Sequence, residues 1–142
     1  MNTRLQVEHP VTEMLTGLDL VKIQLKNAMG IRKTPQELSQ WEDVFDLGRH
    51  VMATRITAKD PDNRFAGSAG SLSQLKGAEI PGTRTYFSIA PGGKVPPTSD
   101  PQFGHTFSVA PTRGEAIALN YRAQEGMLID GDVKTTVLLL WN

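Results

Sequence analysis

From Arg49 to Ala110 the chain is cut into short segments that alternate polar and apolar residues, most of them closed by a turn signal, and this restricts that stretch to sheet. HVMATRIT (50–57) alternates and runs into KDPDN (59–63), where Asp-Pro and Asp-Asn pairs favour a turn. GSLSQLK (70–76), RTYFSIA (84–90) with the turn PGGK (91–94), and HTFSVA (105–110) follow as further strands. TRGEAIALNYRAQEGML (112–128) reads as a helix capped by Thr112, with Glu115 three residues on completing a capping box. Asn120 and Gln124 fall where its apolar stripe should run, and Gly126 costs on the order of 1 kcal/mol relative to Ala. Four strands and then a helix predict an antiparallel sheet with a helix packed on one face, an α+β arrangement.

The first part has a different period. Val11, Met14, Leu15, Leu18, Val21, Leu25 and Met29 recur at helical spacing, which predicts two helical pieces broken at Gly17, the second capped by Asp19 and ended by Gly30. Residues 31–47, polar and holding Pro35, read as a connector with a helical turn. Ahead of the helices, Thr3, Leu5 and Val7 alternate with Asn2, Arg4, Gln6 and Glu8, the pattern of a half-buried N-terminal strand that Pro10 would stop. The organisation expected is a piece over 1–47 and a second over 48–142.

Composition excludes several classes of function. Fifteen basic residues balance fifteen acidic ones without a long block of either sign, so no duplex nucleic acid or anionic membrane is expected as partner. No apolar run approaches the roughly 18 residues that span a bilayer, and no basic stretch leads into an apolar one at the N-terminus. There is no cysteine, hence no disulfide framework or thiolate metal site, and a reducing, cytoplasmic setting is the default. His9, His50 and His105 are scattered and do not suggest zinc. The glycine-rich AGSAGS (66–71) and PGGK match no phosphate-binding spacing and read as hairpin turns. Arg55, mid-strand with Thr54 and Ile56 facing away, reads by itself as a surface or ion-pair arginine.

The polar face of residues 2–8 remains. It reads either as a solvated strand face or as a grip, because an amide, a guanidinium, an amide and a carboxylate at roughly 6.7 Å intervals suit one small polyatomic anion with a cation beside it.

NTRLQVEHPVTEM (2–14) resembles the signature of biotin carboxylases, the ATP-grasp enzymes that carboxylate biotin within acetyl-CoA, propionyl-CoA and pyruvate carboxylases. TGLDLVKIQLKNAMG (16–30), ATRITAKDPDNRF (53–65), PQFGH (101–105) and GDVKTTV (131–137) recur in the same order, and QFGH with GD-x-x-TTV is most similar to eukaryotic-type acetyl-CoA carboxylases of fatty acid synthesis. The resemblance implies the end of an ATP-grasp domain over 1–47 and a biotin carboxylase C-terminal domain over 48–142. It implies Asn2 at the magnesium and phosphate end, Arg4 on bicarbonate or carboxyphosphate, and Gln6 with the Val7 backbone completing the bicarbonate site. Glu8 is implied as general base, and Arg55 as the cation facing the enolate-like biotin anion, a role that suits a permanently charged, two-pronged donor. At its reference pKa of about 4.3 a glutamate is a weak base, so phosphoryl transfer has to drain the equilibrium. The implied cofactors are ATP, Mg2+ (or Mn2+) and biotin on a carrier protein. The implied partners are a biotin carboxyl carrier domain, a carboxyltransferase and a second copy bound through the C-terminal domain.

The family's acidic magnesium ligand stands two residues before Asn2, and its glycine-rich lid, adenine pocket and phosphate-binding lysines stand further upstream. None is present in these 142 residues. One neutral amide cannot replace carboxylate ligation of magnesium, so the chain by itself is not expected to hydrolyse ATP. The expectation is a piece of a biotin carboxylase, or a diverged relative retaining this part, with a non-catalytic interaction module as the alternative. Marginal folding or self-association is expected, with Leu138 to Trp141 exposed.

Overall fold

The computed structural model describes residues 4–31, 34, 48–98 and 100–137. In chain order it holds α1 (His9–Thr16), α2 (Leu20–Ala28), β1 (His50–Thr57), β2 (Lys59–Asp60), a 3-10 turn (Pro61–Asn63), β3 (Ala66–Gly67), β4 (Gly70–Lys76), β5 (Thr83–Phe87), β6 (Lys94–Val95), β7 (Gln102–Ala110), α3 (Arg113–Glu125) and β8 (Leu128–Gly131). The α+β class is as expected.

The N-terminal strand is not. Arg4 is a bend, Leu5 and Gln6 are irregular, and Val7 and Glu8 form a turn that feeds α1. An isolated period-two segment cannot satisfy its own backbone, and no described strand pairs with this one. The backbone bonds locally instead, His9 N–H to Gln6 O at 3.1 Å and Val11 N–H to Glu8 O at 2.9 Å. Pro10 lies in the first turn of α1, where its missing N–H costs nothing, and so opens a helix rather than stopping a strand.

The helical pair forms where its punctuation places it. α1 ends at Gly17 in the left-handed conformation, and the Asp19 carboxylate accepts from Lys22 N–H at 2.7 Å to cap α2. Glu13 Oε1 accepts from Leu20 N–H at 2.7 Å, joining the two helices. Most of the connector, like Leu138 to Trp141, lies outside the described residues.

The main sheet has the antiparallel order β1-β7-β5, and a second has the order β6-β4-β8. β1 pairs with β7 from His50↔Ala110 to Thr57↔Gln102, with an irregularity between Ile56 and Thr57. α3 packs on one face of β1 and β7, and α1 on β1 and β7 as well. Between the sheets Ile56, Ala58, Leu72, Val95, Phe103, Val133 and Val137 form the buried core. RTYFSIA stops pairing after Phe87, HTFSVA begins three residues early at Gln102, and AGSAGS holds β3 and the entry to β4 instead of a hairpin turn. β8 has no counterpart in the sequence reading, which carried the helix to residue 128.

The capping box is present: Thr112 Oγ1 accepts from Glu115 N–H at 3.2 Å, and Glu115 Oε2 accepts from Thr112 N–H at 3.1 Å. Thr112→Ala removes the hydroxyl half of the box, leaving only the backbone N–H to donate to Glu115, and is expected to cost about 1 kcal/mol, read as a lower urea midpoint at unchanged slope.

The two residues that spoil the α3 stripe are core residues. Asn120 is 0% and Gln124 1% exposed. Thr54 Oγ1 donates to Asn120 Oδ1 at 2.6 Å, Gln124 Nε2 donates to the same oxygen at 2.7 Å, and Asn120 Nδ2 reaches the carbonyls of Met52 and Thr106 at 3.4 and 3.3 Å. Burial of these amides is tolerated because their polar atoms are bonded.

Candidate functional site

Strand alternation decides which way Arg55 points. Thr54 turns toward α3, so Arg55 projects from the opposite face of β1, where the start of α1 lies. There Arg55 Nη2 donates to Glu8 Oε1, joining residues 47 positions apart. The turn that replaces the expected strand holds Glu8 in place: the Gln6 carbonyl accepts from His9 N–H at 3.1 Å and from His9 Nδ1 at 2.8 Å. The side chains of Arg55 and Glu8 are 55% and 43% exposed, so the pair contributes no more than about 1 kcal/mol to stability. Its importance is geometric.

Of the other residues singled out in the sequence, Arg4 and Gln6 lie exposed just ahead of Glu8, and the Gln6 amide donates to Arg4 O at 3.4 Å. Val7 lines a groove of about 390 Å³ together with Tyr86, Gln102 and His105. Asn2 lies outside the described residues. The structure therefore brings Glu8 and Arg55 together, with Val7 over the adjoining groove.

His105 was passed over in the sequence as a scattered histidine. It stands directly opposite Arg55 in the β1–β7 register and opposite Tyr86 in the β5–β7 register, so the three form one row across the sheet. Its ring stacks on Phe107 with centroids 5.5 Å apart, and the Gln102 amide nitrogen lies 2.6 Å from Nε2. Burial first, and then the nearby charges of Arg55 and His9, hold its pKa below the usual histidine value. At neutral pH the row therefore presents one cation, Arg55, beside an uncharged imidazole. The signal that pointed here was the QFGH motif, which was noted without assigning its histidine a place.

Magnesium is the one implied group for which donors can be counted. Among the described residues no three His, Asp or Glu side chains converge as a metal site. Asn2 would add one neutral amide, so the residues present do not make a magnesium site by themselves.

Residues 53–142 match the family described as biotin carboxylase C-terminal domain, and residues 1–35 match the ATP-binding domain of the carbamoyl-phosphate synthase L chain. The chain is 37% identical over 137 residues to biotin carboxylase 1 of Bacillus subtilis, covering 96% of itself and 29% of that protein. It is 33% identical over 165 residues to acetyl-CoA carboxylase 2 of Arabidopsis thaliana, covering 96% of itself and 7% of that protein. Among solved structures it resembles the biotin carboxylase subunit of a pyruvate carboxylase, with a TM-score of 0.86 and 37% identity over 98% of this chain and 30% of that one. The biotin carboxylase domain dimer of Hydrogenobacter thermophilus 2-oxoglutarate carboxylase, in complex with MgADP, ADP and bicarbonate, gives 0.84 and 34% over 98% and 29%. Fold and sequence together define an α+β domain of the biotin carboxylase C-terminal type, preceded by a stretch similar to part of an ATP-binding domain. The chain belongs to the biotin carboxylase family, and it spans less than a third of these relatives. No helix among the described residues is long and apolar enough to cross a membrane.

Proposed function

We propose that this chain supplies the bicarbonate-facing and biotin-facing side chains of a biotin carboxylase, which carboxylates carrier-bound biotin with ATP and bicarbonate as the first half-reaction of an acetyl-CoA carboxylase. The observation that carries the proposal is the Glu8–Arg55 pair, which joins the implied base to the implied biotin-facing cation across 47 residues of sequence. Arg4 holds the bicarbonate anion, and Gln6 with the Val7 backbone orients it. Glu8 takes the bicarbonate proton as the freed oxygen attacks the γ-phosphorus of ATP. The bond to ADP breaks, giving carboxyphosphate. In the second step the carboxyphosphate bond to phosphate breaks, the departing phosphate takes the ureido N–H proton, and the carboxyl carbon passes to the nitrogen so freed. Arg55 faces the negative charge that gathers on the ureido oxygen. An exposed ion pair is cheap to open, so Arg55 can exchange Glu8 for this ligand at a cost of about 1 kcal/mol or less.

The partners of this reading are the biotin carboxyl carrier domain, a carboxyltransferase that uses the product, and a second copy of the chain. A cysteine-free composition supports a reducing cytosolic setting. A non-catalytic interaction module is favoured by one observation. On α2 and just beyond it, Leu25 and Met29 are 61% and 74% exposed, one turn apart on a single face.

The test mixes the chain with the nucleotide-binding portion of the Bacillus subtilis relative and follows ATP-dependent fixation of labelled bicarbonate onto free biotin. Carboxybiotin formed by the mixture and by neither part alone is the expected result. Stable association of the two without turnover would identify the module instead.

A further inference from the structure

We propose that Thr54, Asn120 and Gln124 form a register lock for β1, and that they are positioning residues which make Arg55 face Glu8. Among the described residues β1 is an edge strand of the sheet order β1-β7-β5, paired on one side by β7. Shifting such a strand by one residue turns every side chain to the other face. Arg55 would then point into α3 and Thr54 toward Glu8. Backbone bonds weakly oppose such a slip, because a shifted ladder makes nearly as many of them. Apolar packing guards the far end of the strand, where Ile56 is fully buried in the core, but beside α3 it is a poor guard, since Ala53 next to Thr54 is small enough to be accommodated.

The buried amides discriminate where the ladder does not. Asn120 Oδ1 accepts from Thr54 Oγ1 at 2.6 Å and from Gln124 Nε2 at 2.7 Å, and Gln124 Nε2 also lies 3.3 Å from Thr54 Oγ1. Asn120 Nδ2 bridges the two strands through Met52 O and Thr106 O, and Thr54 and Thr106 are direct partners in the register. In either slipped register Ala53 or Arg55 replaces Thr54 opposite this pair. Ala53 leaves both amides without the hydroxyl, and Arg55 buries a charge against them. A fully bonded polar group in a core is favourable in one arrangement and costly in the others, and buried polar side chains are best attested as devices that fix register. The polar interruption of the α3 stripe is therefore matched to the one polar side chain that β1 sends into the same layer. Arg55 is the adjacent residue, so its orientation follows from the match.

The experiment reads the 15N Nη resonances of Arg55 in the full 142-residue chain. A guanidinium held by a carboxylate rotates slowly and gives two resolved signals, whereas a free one gives an averaged signal; Glu8→Gln serves as the reference for the freed state. Thr54→Ser keeps the hydroxyl and is expected to retain the resolved pair. Thr54→Val, similar in shape but without the hydroxyl, and the triple variant Thr54→Val, Asn120→Met, Gln124→Leu are expected to lose the pair or to show a second set of Arg55 signals while still melting cooperatively. Unchanged Arg55 signals in either folded variant overturn the proposal. Unfolding of both valine-containing variants overturns it as well, since the cluster would then serve stability alone.

Discussion

Glu8→Gln is expected to lower ATP-dependent carboxylation of biotin by the complemented enzyme about 10²- to 10⁴-fold, with KM for ATP nearly unchanged. The substitution keeps the size of the side chain and one oxygen that can accept from Arg55, and it removes the group that takes the bicarbonate proton. Its effect should therefore appear in the chemical step rather than in folding, since an ion pair this exposed contributes about 1 kcal/mol or less to stability. Steady-state rates at saturating ATP and bicarbonate, together with a urea melt, separate the two effects. A variant retaining a tenth or more of the rate would remove Glu8 from the role of base, even if the Glu8–Arg55 contact persisted. The second step has its own control, because Arg55→Lys keeps the charge but not the two-pronged donor geometry and should lower turnover on biotin without lowering the affinity for ATP.

What could be read from the sequence was whatever local chemistry determines. The capping box at Thr112 and Glu115, the Asp19 cap and the helix break at Gly17 depend on neighbours within four residues, and each is found where expected. β1 and β4 match their predicted spans because alternation persists through both of them. The N-terminal segment failed for the converse reason: its alternation is real, but a strand also requires a neighbour to bond, and pairing is not encoded in the segment itself. Asn120 and Gln124 looked like defects in a helix because their partner Thr54 is 66 and 70 residues away. The site was legible only in halves. Arg55 alone read as an ordinary surface arginine; the resemblance assigned it to one site with Glu8, and the direct contact between them comes only with the fold. His105 was visible within a motif, yet its meaning lies in the cross-strand register with Arg55, which periodicity does not give.

GD-x-x-TTV shows how a motif can mark a family while its residues hold the fold together. Asp132 Oδ2 accepts from Ser71 N–H at 3.3 Å and Asp132 N–H donates to Ser71 O at 2.9 Å, while Thr136 Oγ1 lies 3.0 Å from Thr57 Oγ1. Gly131, which pairs with Leu72, has φ 144, a conformation that side chains disfavour. A Cβ there would overlap the Ser71 carbonyl oxygen and lie 2.9 Å from Leu72 Cα, both backbone atoms that cannot swing aside. Gly131→Ala is therefore expected to destabilise the chain by about 2–4 kcal/mol, combining backbone strain with displacement of β8 from β4. Leu72 is fully buried in the core between the sheets, so the displacement should spread inward rather than remain at the surface. Urea unfolding followed by circular dichroism measures the loss, and amide exchange locates it: protection should fall first at Gln74, Leu75 and Ile129, in the β4–β8 ladder. The same substitution at Gly114 in the first turn of α3, where an added Cβ meets nothing within 4 Å, should leave stability unchanged or slightly raised. Equal losses at the two positions would show that backbone freedom in general, and not the close approach of β8 to Ser71, is what the motif glycine provides.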